Sequence, residues 1–536
     1  MWNCCCGPVR SSSSRALGVA LLPVVGFLAC MSPPRPQTAT VLFASGADLQ
    51  SINPLVTVHP LAKQVQKHVL LMTLAAYDST LQPVPRLASW RWNGDRTRLT
   101  FSLRRDVFWH DGRPTTAADV VWTLAMARDP AVAYPRARDL AGVTRVQRVD
   151  SFTVDLHFAG PQPIFPDVLT DLAVLPRHHF TQVAPEDMRS APYNRHPVGN
   201  GPFEFVEYRP NQRWVFRRAD RFPESLARPR IDRFVVVVVD EPITKLAALT
   251  SGELDFAGIN PAHAAFVRKD DRLTVIDYPV QLSNALVWNL RRAPFDDVRI
   301  RRALTMGLDR ALLVEAYLYG FGTVADGPVS PDHPWYEAPP SVGYDPVAAA
   351  RLLDDLGWLR VGDGVRTKDG SALSFRLLTV GTGDNALEQM IQAQFRELGV
   401  QVDIRPLELT TFLGLAQGPE RDFDALVTGI PGDLSLGHVA ALFGGDEPGP
   451  LAYSGYRNAR FDAAMARVRR AETAAGLERA WRDAQQILAR DLPVTWLYHA
   501  RGVQGANRRV RGVKLDLRGE LAGLAAWSTR EWDGRP

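Results

Sequence analysis

The sequence predicts an α/β protein built as two lobes joined by a hinge. Three observations carry this reading. The chain has 536 residues, more than one hydrophobic core organises, so two or more lobes are needed. Residues 234–239 read FVVVVV, a continuous β-branched run suited to a sheet covered on both faces. A helix over 243–250, stopped at Gly252, and a strand over 254–259 follow at crossover spacing. The same order returns as a strand over 375–380, a helix over 386–398 and a strand over 400–406. This layout puts two chain crossings near 281–289 and 496–502, and two strands joining two lobes make a hinge.

Taken in order, the chain opens on Arg10 and Arg15 followed by an apolar run over 16–29. That run is shorter than the about 20 residues a membrane span needs. A positive flank, a short apolar core and a small residue at its end describe a secretory signal over 1–29. The end of the run, Phe27-Leu28-Ala29-Cys30, resembles a bacterial lipobox, with Phe27 where Leu is usual. Cleavage before Cys30 removes two of the four net positive charges and leaves Cys30 to carry lipid. The other three cysteines are Cys4, Cys5 and Cys6, so the mature body holds no thiol and no disulfide, which suits an oxidising compartment. Residues 30–40, rich in Pro and Thr, read as a tether.

A strand over 41–45 and a helical period over 63–76 follow. Leu99, Phe101 and Leu103 alternate with polar residues as in a half-buried strand. Asp111-Gly112 signals a turn, and Thr116 with Asp119 forms a capping-box variant opening a helix. Residues 143–149 and 152–158 read as a hairpin, and 203–208 and 214–218 as strands joined at Pro210-Asn211. Beyond 280, Pro294 and Asp296-Asp297 open a helix whose Arg299, Arg301 and Arg302 read as a solvated face. An amphipathic helix over 344–358 stops at Gly357, and a hairpin turn covers 362–370. A strand over 424–430 leads into a Gly/Pro-rich loop, 461–489 is helical, and 494–498 is a strand.

Composition excludes several function classes. Charged residues are 22% and the net charge is only +4, too small an excess to argue for nucleic acid or an acidic partner. The eleven histidines form no HExxH or similar spacing, and the adjacent His178 and His179 cannot share a helical face. There is no GxSxG elbow and no phosphate-binding GxxxxGK[ST] loop. The reading is therefore of a protein without catalytic residues, cofactor or metal centre. The pair His110-Asp111 reads as scaffold.

Several stretches then resemble one family. Residues 99–124, LTFSLRRDVFWHDGRPTTAADVVWTL, carry its signature at Phe101, Leu103, Arg104, His110, Asp111, Gly112, Ala117, Asp119 and Val120. Residues 197–222 carry a second block at Gly199, Gly201 and Pro202, and 48–55, 247–257 and 284–318 match in order. The chain resembles the bacterial extracellular solute-binding proteins of family 5, typified by the dipeptide- and oligopeptide-binding proteins of ABC importers. The resemblance implies the type II periplasmic binding protein fold in its large, three-subdomain form. It implies an N-terminal lobe over 41–283 with a subdomain inserted at about 84–197. It further implies a C-terminal lobe over 284–498 and a tail over 499–536 returning to the first lobe.

The implied function is capture of a peptide or peptide-like solute between the lobes by a periplasmic or extracytoplasmic monomer, with Cys30 as the candidate lipid anchor. Delivery is to permease subunits in the inner membrane. Alternatives on the same fold are a nickel chelate, glutathione, an opine or an oligosaccharide. A ligand-sensing regulator is the remaining one, although a secretory pattern stands where its DNA-binding domain belongs. In peptide-binding members an aspartate after a C-lobe strand pairs with the ligand ammonium, which needs a charge-assisted acceptor when buried. Asp433 falls on that position, after Gly429 and Ile430. The sequence departs from the pattern there, with Ile430 for Trp and Leu436-Gly437 for Asp-Pro. By location alone, Trp288 and Asn289 at the first crossing, Trp496 and Tyr498 at the second, and Ser45 and Gly46 are further candidates. For the aromatics, hinge packing competes with ligand contact. Arg376 and Arg405 are weighed as carboxylate partners against plain surface placement.

Overall fold

The computed structural model describes residues 39–57, 59–381, 385–418, 420–432, 436–445 and 452–529. Among them a central eleven-stranded sheet organises the chain. The β-branched strand Arg233–Val238 pairs in parallel with Thr40–Ser45, which pairs in parallel with Phe256–Gly258. On the far side of the sheet Ser374–Val380 lies parallel to both Gln401–Leu407 and Ala425–Pro431. These are the two strand–helix–strand units expected, completed by the helices Pro242–Ser251 and Ala386–Glu397.

Two long antiparallel strands, Leu273–Trp288 and Val494–Asn507, form the middle of the sheet and connect its halves. Their outer ends pair with Phe256–Gly258 on one side and Ala425–Pro431 on the other. The ladder between them shifts register twice, between Asn284 and Ala285 and, more widely, between Pro279 and Ser283. Pro279 faces Arg501 and Ser283 faces His499, so Val280, Gln281 and Leu282 stand opposite Ala500 alone. A bulge of this kind frees backbone from pairing and bends the strand. The second strand runs on to Asn507, well beyond the expected end at 498, because its last third completes the sheet beside Phe256–Gly258.

A separate four-stranded sheet, in the order Ala88–Trp92, Arg98–Leu103, Thr153–Phe158, Val143–Arg148, packs against the helix Ala117–Arg128. The cap of that helix is as expected. The Asp119 carboxylate accepts from the Thr116 N–H at 2.9 Å, and from the Arg177 N–H at 3.1 Å, tying in a distant turn. His110 is scaffold: its Nε2 lies 3.0 Å from the Gly201 carbonyl, and burial pushes its pKa down to about 4. Gly199 explains its own block. A Cβ there would stand 1.9 Å from the Leu70 carbonyl oxygen, so only glycine lets the two main chains touch.

Four expectations need correction. The helical period over 63–76 is a helix only over Pro60–Val65, continued by a wide turn over Gln66–Leu70. It stops because Leu70 turns its carbonyl to the N–H groups of Asn200 and Gly201 at 3.1 and 2.8 Å. The helical stretch 461–489 is two helices, Ala459–Arg470 and Ala474–Asp491, the second capped by Thr473. Arg301 is not on a solvated face. It is 4% exposed, and its guanidinium donates to the carbonyls of Leu492 at 2.8 Å and Phe295 at 2.6 Å. Five donors let one arginine satisfy several buried carbonyls at once. Finally, His178 and His179 do meet one partner, because Arg177–His179 is a tight three-residue turn and both rings swing toward Asp111. No helix among the described residues is long and apolar enough to cross a membrane.

Candidate functional site

A cavity of about 690 Å³ opens at the break in the long strand pair. One wall is the freed stretch Val280–Leu282 with Tyr278. Another is the helix Pro60–Val65 with its wide-turn continuation, which supplies Lys63, Lys67 and His68. Pro431 and Gly432 close it from the strand Ala425–Pro431, held by the Gly432 N–H donating to the Gln281 carbonyl at 2.9 Å. The floor comes from the C-terminal segment, with Arg518 and Glu520. The helix Pro60–Val65, the long strand Leu273–Trp288, the end of the strand Ala425–Pro431 and the C-terminal segment therefore meet in this one space.

Its electrostatics are built around Asp171. The carboxylate sits 3.0 Å from Lys63 Nζ, 2.9 Å from Lys67 Nζ and 3.1 Å from Arg136. Burial pushes this carboxyl up, but the cations of Lys67, Lys63 and Arg136 outweigh it and hold it well below the usual range. Arg136 also reaches Asp167 at 2.7 Å, which accepts from the Tyr77 hydroxyl at 3.0 Å. On the opposite wall the Tyr278 hydroxyl donates to Glu520. Burial raises the Glu520 carboxyl, and it raises the Tyr278 phenol too, with the Glu520 charge adding to it. The Tyr278 ring lies flat on Gly502, where a Cβ would stand 2.2 Å from Cζ.

Burial lowers the Arg86 guanidinium to about 10, still a cation at neutral pH. It also lowers His68, helped by the Lys67, Arg86 and Arg518 charges, so that imidazole is neutral. Arg86 Nε, His68 Nε2 and Gln281 Oε1 are buried at this cavity without a hydrogen-bond partner among the described residues. Leaving such a group unmatched costs about 1–3 kcal/mol. Three of them around one cavity are what a binding site for a polar molecule presents. Lys67 is paired with Asp171 and Arg518 with Asp516, so Arg86 is the wall cation whose charge no carboxylate among the described residues meets.

The residues singled out from the sequence are placed as follows. Asp433 and Cys30 lie outside the described residues. Asp433 follows Gly432, a cavity residue, directly in the chain. Gly429 is exposed and Ile430 is buried against the C-terminal core, one residue before Pro431 enters the wall. Trp288 is fully buried, stacked on Phe295 with its Nε1 donating to Thr495 Oγ1 at 3.0 Å. Asn289 donates to the carbonyls of Arg421 and Phe423 at 3.0 and 2.8 Å. Trp496 packs edge-on against Phe443, and Tyr498 is buried in the neighbouring core. Ser45 donates to the Ala47 carbonyl at 2.6 Å, and Gly46 lies beside Lys245. Arg376 bridges Asp422 and Asp424, and Arg405 pairs with exposed Asp403.

The cavity walls are made instead of Lys63, Lys67, His68, Arg86, Tyr278 and Glu520 with their neighbours. The spacing of Lys63 and Lys67, four residues apart on one helical face, was the available signal.

The model of the family described as "Bacterial extracellular solute-binding proteins, family 5 Middle" matches residues 82–441. The chain is 26% identical over 440 residues to the oligopeptide-binding protein AppA of Bacillus subtilis, covering 79% of each chain. The solved structure of that protein in complex with a nonapeptide superposes with a TM-score of 0.77 at 24% identity, covering 92% of this chain and all of that one. NikZ of Campylobacter jejuni, solved in complex with Ni(L-His), superposes with a TM-score of 0.79 at 22% identity and the same coverage.

Proposed function

Because the chain belongs to the bacterial extracellular solute-binding proteins of family 5, we propose that the cavity at the strand break is its solute site. The solute is a peptide or peptide-like molecule, passed on to the permease of an ABC importer. One observation carries this reading: a single space is lined by Lys63, Tyr77 and Arg86 from the first lobe, by Pro431 and Gly432 from the second, and by the bulged stretch of a strand connecting them. A solute there bridges the lobes and biases them toward closure. We take the lobes to be residues 41–283 and 284–498, with 84–197 inserted in the first and 499–536 returning to it. Arg86, whose Nε is unmatched, suits a carboxylate, and Asp433, next to Gly432, suits an ammonium. Together they suit the two ends of a zwitterion. Export, processing at Cys30 and lipid attachment there are part of the same proposal.

Native mass spectrometry of the protein, followed by denaturation and identification of what is released, tests it. Peptides are the expected release, and Asp433→Ala is then expected to weaken peptide binding by about 2 kcal/mol or more, roughly thirtyfold. Release of a sugar or a metal chelate would overturn the peptide reading and leave the site.

Trp288 gives a contrasting outcome. Trp288→Phe is expected to lower stability by about 1–3 kcal/mol in urea unfolding, since it opens space in the core and removes the donor to Thr495. Peptide affinity of the folded variant is expected to stay at the wild-type value.

A further inference from the structure

Outside the cavity, Asp111, His178 and His179 bring potential metal-ligand atoms together. Asp111 stands in the turn that Gly112 closes, with the Gly112 N–H donating to the Trp109 carbonyl at 2.8 Å. Its Oδ1 accepts from the Arg113 N–H at 3.2 Å, which leaves Oδ2 facing outward. His178 Nε2 lies 2.6 Å and His179 Nε2 3.3 Å from that same Oδ2. The two rings are 4.6 Å apart, His178 edge-on to Trp109 and His179 beside Tyr193, so neighbours restrict both rotamers. All three ligand atoms fall within 4.8 Å of one another. The side chains remain 20%, 34% and 29% exposed for His178, His179 and Asp111, open enough for an ion to enter.

We propose that Asp111, His178 and His179 form a binding site for a divalent transition-metal ion of the zinc class, distinct from the solute cavity. Two imidazoles and one carboxylate are borderline ligands, which favours zinc, copper or nickel over calcium or magnesium. Bonds of about 2.0–2.2 Å in a tetrahedral shell place neighbouring ligand atoms about 3.3 Å apart. His179 already stands at that separation from Asp111, and His178, at 2.6 Å, needs to open by about 0.7 Å. The ion takes the place of the imidazole protons that otherwise point at Oδ2, and water completes the shell. The backbone presents the ligands in advance: Arg177 is fixed by its N–H to Asp119, on the helix that follows the Asp111 turn. A bound ion would therefore clamp the turn around Asp111 to the turn 177–179, two segments far apart in sequence.

The test is calorimetric titration of the metal-stripped full chain with zinc chloride, beside the His178→Ala/His179→Ala double variant and Asp111→Asn. The wild type is expected to bind in the micromolar range. Each variant is expected to lose that binding or weaken it by roughly tenfold or more. Asp111→Asn keeps a hydrogen-bond acceptor for the imidazoles, so it reads the site even if the double variant does not fold. Zinc is also expected to raise the unfolding midpoint of the wild type and not that of Asp111→Asn. Cobalt(II) added in zinc's place should give a visible absorption band only with the imidazole pair present. Equal zinc affinity in wild type and variants, from any other ligands in the chain, would overturn the proposal, as would no binding by the wild type.

Discussion

Replacing Asp171 with asparagine (Asp171→Asn) is expected to destabilise the protein by about 3–5 kcal/mol, because it strips three cations of their shared counter-ion. Lys63, Lys67 and Arg136 all reach this carboxylate within 3.1 Å. None of the four groups is more than 28% exposed, so water screens the remaining repulsion only in part. Urea unfolding measures the loss. Its pH dependence identifies the cause. The Asp171 carboxyl is held well below its usual range in the folded state. Its contribution is therefore fully present above the unfolded value of about 4 and lost as pH falls through the lower folded value. The gap between wild type and Asp171→Asn is expected to be constant near neutral pH and to shrink below about pH 4. A gap that ignored pH would mean that the variant acts through packing.

Gly199→Ala is expected to be comparably severe, about 3 kcal/mol or more, for a steric reason. The added methyl would meet the Leu70 carbonyl oxygen at 1.9 Å and the Leu70 side chain at 2.8 Å. Backbone cannot swing aside as a side chain can, so the loop must back away. That breaks the bonds from the Asn200 and Gly201 N–H groups to Leu70 and strains the one from His110 to the Gly199 carbonyl. Leu70 ends the wide turn that carries Lys67 and His68 into the wall of the proposed solute cavity. The variant should thus lose solute affinity as well as stability. Calorimetric titration with a bound peptide, compared with thermal unfolding of the same sample, checks both. Intact affinity in a destabilised Gly199→Ala would separate the loop from the cavity wall.

The fold was readable where its signals are local. Thr116 and Asp119 announce a helix start three residues apart, and the run 234–239 announces a buried strand within six. The solute cavity was less readable because its parts are not local. Lys63, Arg86, Arg136, Tyr278 and Glu520 come from five segments, and each alone resembles an ordinary surface or core residue. Arg301 misled for the same reason: besides the nearby Phe295 carbonyl, its partners are carbonyls at the end of a helix 190 residues on. Trp288 and Asn289 were singled out by their place at a crossing. That place is where core packing is densest, and their hydrogen bonds are spent within it. His178 and His179 were dismissed on helical geometry, and a three-residue turn is not bound by it.

The position of the strand Val494–Asn507 in the middle of the sheet sets the order in which the molecule can be completed. This strand lies more than 200 residues after Phe256–Gly258 and Leu273–Trp288, yet both take it as a neighbour. Until it emerges, each of those earlier strands offers an unpaired edge, and the two halves of the sheet have no common member. A nascent chain cannot close early on its first lobe alone, and contacts spanning more than 200 residues are slow to form once synthesis ends.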